Sequence, residues 1–139
     1  MRSITAGLTA LAAVAIWAAV MQSDPATAGE PLLKTRTTIL GQALDYPAGD
    51  PAEVTSLIVT LEPGEETGWH KHPVPLYAYL LSGQITVDYG EDGTRTYRPG
   101  EALMEAVGSW HNGHNAGPEP ARILVVVMGA VGREITVER

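Results

Sequence analysis

Two histidines flank a lysine in His70-Lys71-His72, and a third, His111, follows 41 residues after the first. In an extended strand the side chains alternate faces, so residues i and i+2 point the same way. His70 and His72 therefore present two imidazoles to one point, and His111 can add a third from another strand. Neutral imidazole is the commonest protein ligand for divalent transition metals, and a three-point clamp of this kind leaves further coordination positions open. The competing reading is a histidine cluster satisfied by hydrogen bonds alone. Thiolate ligands and a cysteine nucleophile are excluded, because the chain has no cysteine. It has no Gly-x-Ser-x-Gly elbow and no glycine-rich phosphate loop leading into a helix.

One acid stands close in sequence. Glu105 lies six residues before His111. On a strand Leu103 and Glu105 share one face, and Ala102 and Met104 the other. If Leu103 faces the interior, Glu105 enters the pocket with it and must meet the metal or a hydrogen-bond donor. If not, Glu105 points to solvent. In the first case it is the candidate general base. His114 is out of phase with His111 and is expected to be exposed. Trp69, Tyr77, Tyr79 and Trp110 flank the histidines and could line a pocket. Core is the better reading, since the chain has no phenylalanine and must build its interior from such residues.

These residues need strands to hold them. The pattern predicts strands over Leu32–Leu40, Val54–Leu61, Tyr77–Leu81, Gln84–Tyr89, Thr94–Arg98, Glu101–Ala106, Arg122–Met128 and Glu134–Val137. Asp45–Pro51 is loop, with two prolines and a glycine. Ser82-Gly83 reads as a tight hairpin, and Glu91-Asp92-Gly93 and Pro99-Gly100 as turns. Short strands at near-regular spacing, with no amphipathic helix, indicate an all-β sandwich or barrel.

Two stretches carry a more specific pattern. The first is Gly64, five residues, His70-Lys71-His72, then Gly83; the second is Gly100, five residues, Ala106-Val107-Gly108, two residues, His111, three residues, Asn115. Together they resemble the two motifs of the cupin superfamily. The resemblance covers Gly64 to Asn115, about half of the chain beyond residue 28. It implies an all-β double-stranded β-helix, the cupin jelly-roll barrel, with His70, His72 and His111 as metal ligands. Alanine replaces the motif's proline at Ala106. Leu76 occupies the slot of the usual glutamate ligand, and no Asp or Glu lies between His72 and Gly83. The implied cofactor is one divalent transition metal: iron first, with manganese, nickel or zinc compatible. The lost acid points toward three-histidine Fe(II) dioxygenases acting on small organic substrates. Zinc would instead acidify a bound water. A non-enzymatic module binding a small ligand or metal, and a structural metal site, stay open. A homodimer is expected from the same resemblance.

The ends and the charge bound the setting. Met1-Arg2, the apolar run Ala6–Val20, the break at Gln22-Ser23-Asp24-Pro25 and the small-x-small Ala26-Thr27-Ala28 predict a signal peptide over residues 1–28. An uncleaved anchor is the alternative. Residues 29–139 are then a single domain, periplasmic or secreted, with no stable membrane association after cleavage. The net charge of −7 and the lack of a Lys/Arg cluster argue against nucleic acid as a partner. A small-molecule ligand or substrate is the expected partner.

Overall fold

The computed structural model describes residues 29–139, and the expected signal peptide at 1–28 lies outside them. The longest strands are those richest in β-branched and aliphatic residues. β1 (Ala52–Leu61) and β8 (Ala121–Ala130) pair antiparallel along their full lengths, from Ala52 opposite Ala130 to Leu61 opposite Ala121. Between them in sequence come β2 (His70–Lys71), β3 (Leu76–Ser82), β4 (Ile85–Asp88), β5 (Thr94–Tyr97), β6 (Ala102–Met104) and β7 (Asn112–His114); β9 (Val137–Glu138) ends the chain. One sheet runs β1-β8-β3-β6, a second β5-β4-β7, and β2 pairs with β9. Single bridges between His70 and His111 and between Glu66 and His114 tie β7 to the stretch leading into β2.

Alternate residues of the strands face inward. Leu76, Ala78 and Leu80 of β3 and Ile123 and Val127 of β8 join Ile85, Val87 and Tyr97 from the second sheet in one buried cluster. The architecture is the all-β double-stranded β-helix expected above, with no α-helix among the described residues.

Several local expectations need correction. Leu32–Leu40 is not a strand. Only one bridge, Thr37 to Ala43, forms there, across a turn in which Thr38 donates to the carbonyl of Gln42 at 2.9 Å. Leu32 is 58% exposed, while Ile39 and Leu40 are partly buried against the core, so the segment closes over the core as a turn and does not run as a strand. Ser82-Gly83 is not a hairpin, because β3 and β4 do not pair; it carries the chain from one sheet to the other. Gly83 has φ 71°, and a Cβ there would stand 2.5 Å from the Pro120 carbonyl oxygen, so glycine is required on both counts. The final strand falls at Val137–Glu138 instead of Glu134–Val137, because its partners are His70 and Lys71.

Candidate metal centre

The chain brings its two motifs together through the backbone. The N–H of His70 donates to the carbonyl of His111 at 3.0 Å, and that of His111 donates back at 2.9 Å. These reciprocal bonds set the two residues directly opposite one another, with side chains on the same face. His72 follows on that face by the alternation of the strand. Its carbonyl accepts the N–H of Gly108 at 2.7 Å, which fixes the turn leading to His111. Ring centroids lie 4.4 Å apart for His70 and His111, 4.9 Å for His70 and His72, and 5.2 Å for His72 and His111. One ligand atom from each lies within 4.8 Å of the others.

Each imidazole is oriented by a carbonyl. Nδ1 of His70 bonds the Gly68 carbonyl at 2.8 Å, Nδ1 of His72 that of Ile135 at 2.8 Å, and Nδ1 of His111 that of Ser109 at 3.0 Å. A carbonyl only accepts, so Nδ1 carries the hydrogen and Nε2 keeps its lone pair. Burial, opposed by the Ile135 hydrogen bond and aided by the other two histidines, lowers His72 from 6.5 to about 4. Burial likewise lowers His111 to about 4, against the Ser109 hydrogen bond. Both rings are neutral at pH 7. Three bare Nε2 lone pairs, each backed by a second hydrogen bond, are the donor set a divalent metal takes.

Glu105 reaches the same place from β6. Leu103 faces inward, and Glu105, only 6% exposed, enters with it. Its N–H donates to the Leu76 carbonyl at 2.8 Å, which continues the register pairing Tyr77 with Met104. The carboxylate therefore enters across from the leucine that stands in the usual acid slot. Oε1 accepts the Ala106 N–H at 2.6 Å and Oε2 accepts the Tyr89 hydroxyl at 3.2 Å. Oε2 also lies 4.0 Å from His111 Nε2. With His111 neutral this is a polar contact, not an ion pair. Burial raises the Glu105 carboxyl, and the Ala106 and Tyr89 hydrogen bonds oppose the rise. Glu105 stands beside the three-histidine cluster without belonging to it.

These groups line a cavity of about 290 Å³. The rest of its wall is mainly apolar, drawn from Leu76, Ala78 and Leu80, from Ile123, Val125 and Val127, and from the facing sheet. Trp69, Tyr77, Tyr79 and Trp110 do not line it; Tyr77 lies on a shallow outer pocket, and Trp110 packs under Lys71 at 4.8 Å. The cavity's aromatic is Tyr97, whose hydroxyl lies 3.3 Å from that of Tyr89. The hairpin across Gly90–Gly93 sets Ile85 opposite Tyr97 and could have shown it. His114 is half-buried and outside the cluster. Asn115 is fully buried and structural: its amide donates to the carbonyls of Leu61 and Glu119. Gln42 was not visible in the pattern. Its side chain accepts the Val107 N–H at 2.9 Å and donates to the Val107 carbonyl at 2.8 Å, clamping the turn before His111.

Comparison with known proteins agrees with this fold. The cupin-domain family model matches residues 57–127. The (R)-mandelonitrile lyase of Granulicella tundricola is 32% identical over 76 residues, 55% of this chain and 57% of that protein. The chain thus spans little more than half of that relative. Oxalate decarboxylase of Bacillus subtilis, studied for its Mn(II) centres, is 28% identical with a TM-score of 0.50, over 61% of this chain and 23% of that one. Oxalate decarboxylase of Lactobacillus farciminis, at 21% identity and a TM-score of 0.54 over 61% of this chain and 26% of that one, shares the fold.

Proposed function

The chain belongs to the cupin family, and from that premise we propose that it is a metal-dependent enzyme moving a proton on a small oxygen-bearing organic substrate. The observation that carries this is the convergence of three Nε2 lone pairs and one buried carboxyl in a cavity whose wall is mainly apolar. His70, His72 and His111 would hold the ion. A divalent metal bound there supplies Lewis acidity, polarising an oxygen of the substrate.

Glu105 does the proton work. Its carboxyl is raised by burial, which makes it a stronger proton acceptor than a solvated carboxylate. Tyr89 and the Ala106 amide fix its two oxygens, so the group does not swing away. The surrounding leucines, isoleucines and valines exclude water and keep the proton between Glu105 and the substrate. The mandelonitrile lyase relative makes a lyase reaction on a hydroxyl-bearing substrate the first to try; manganese, from the Mn(II) centres of the Bacillus subtilis oxalate decarboxylase, and iron, from the three-histidine ligand set, are the first metals.

A second reading is a three-histidine Fe(II) dioxygenase, favoured by the leucine at the acid position, which leaves three neutral ligands. One experiment separates them. The metal-loaded protein is assayed on (R)-mandelonitrile and on diketones, in air and without oxygen. Turnover without oxygen, falling about 10²- to 10⁴-fold in Glu105→Gln with metal content unchanged, supports proton transfer. Turnover confined to the aerobic arm, with oxygen uptake, would replace it by the dioxygenase. No turnover in either arm, with metal bound, would leave a binding module.

A further inference from the structure

The cavity carries information about what it takes. Among the described residues, its wall includes no lysine and no arginine. Its charged groups are Glu105 beside the histidines and Glu138 on the short C-terminal strand; Thr67 and Thr136 add hydroxyls. The inward face of β3 runs Leu76, Ala78, Leu80 away from Glu105, at about 3.3 Å per residue. Ile123 and Val127 stand opposite Leu80 and Leu76 on β8, so this wall is apolar along its length. A bound metal would offer one positive point, at one end. A substrate bearing a second charge would have to put it against these side chains, unpaired and out of water, which is strongly unfavourable.

Resting on the metal-site reading above, we infer that the substrate has a single polar head, bound at the histidine end, and an uncharged apolar body about the size of one substituted ring. The size follows from the volume. An apolar cavity of about 150 Å³ accepts benzene, and this one, at about 290 Å³, has room for a ring and a short substituent. Small dianions and sugar phosphates are the wrong class, although two structural relatives are oxalate decarboxylases.

The test reads cavity occupancy separately from metal content. The full chain, loaded with zinc and separately stripped, is titrated with benzyl alcohol, benzaldehyde, oxalate and glucose 6-phosphate. Binding is followed by methyl NMR of Leu80, Ile85 and Val127; metal content is measured by elemental analysis. The expected result is saturable shifts with the two neutral aromatics, at least tenfold tighter than with either anion. Val125→Phe, which fills the cavity from the middle of β8, should weaken the aromatics at least tenfold. Leu57→Arg, on the edge strand where Leu57 is 41% exposed, brings in a cation without burying it in the core and should shift preference toward the anions. Oxalate or the sugar phosphate binding as tightly as the aromatics in the parent would overturn the inference. So would aromatics that leave the cavity methyls unmoved. Failure of the parent to take up zinc, with aromatic binding intact, would remove the metal reading and leave the apolar-body inference standing.

Discussion

Three backbone carbonyls decide what the histidines can do. By accepting from each Nδ1 they leave each Nε2 as a bare lone pair aimed at its neighbours. The same burial that makes the rings good ligands makes them poor bases. In the unfolded chain His72 and His111 titrate near the ordinary 6.5, and in the folded chain near 4. Between those values the unfolded chain binds more protons, so unfolding becomes easier as pH falls. The metal-stripped protein should therefore lose stability from about pH 6.5 down toward about pH 4, and gain nothing more from these two groups above 6.5. Urea midpoints at pH 7.5 and pH 5 check this. A midpoint that does not fall, or a fall of equal size in a His72→Gln/His111→Gln variant, would show that the two rings are not the cause. The sequence disclosed His70 and His72 because the i, i+2 alternation needs only a strand, and His111 because it stands in the second spaced motif. Tyr89 and Gln42 stayed hidden. Their roles depend on which loop packs against which, and neither forms part of a spaced motif.

At the scale of elements, the site depends on segments that contain no ligand. The C-terminal stretch closes one side: the Ile135 carbonyl holds His72, and β9 pairs with β2. Deleting Gly132–Arg139 should weaken metal binding about 10- to 100-fold, the usual effect of removing the group that orients a ligand. A competition titration against a chelator reads it; unchanged affinity in the folded deletion would show that His72 needs no such support. The sheet-to-sheet crossing at Gly83 is the second such element. Gly83→Ala combines about 1–3 kcal/mol of left-handed strain with a clash against the Pro120 backbone. Urea unfolding should show at least that loss, and a neutral result would contradict the geometry. The long strands were legible because β1 and β8 are rich in aliphatic residues. Leu32–Leu40 misled because its composition resembles a strand, while the chain turns between Thr38 and Gln42 and meets β6 through the Ile39 N–H to the Met104 carbonyl at 2.8 Å without forming a ladder. β7 was missed because Asn112-Gly113-His114 has no strand propensity and is made a strand by its partner, β4.

At the scale of the whole molecule, an acidic chain without cysteine encloses an apolar cavity whose polar end is three histidines and a glutamate. Lacking disulfides, the fold gains from any ion that binds it and not the unfolded chain. At a free concentration about a hundredfold above Kd that gain is about 2.7 kcal/mol. The most direct test of the account is the metal content of the purified protein, dialysed free of loosely held ions, beside His70→Ala/His111→Ala prepared in the same way. The expected result is close to one divalent transition-metal ion per chain in the parent, near zero in the folded double variant, and a rise in Tm on reloading the parent alone. A parent that takes up no ion when manganese, iron(II) or zinc is offered, or a double variant that retains as much as the parent, would contradict the assignment of His70, His72 and His111 as a metal centre.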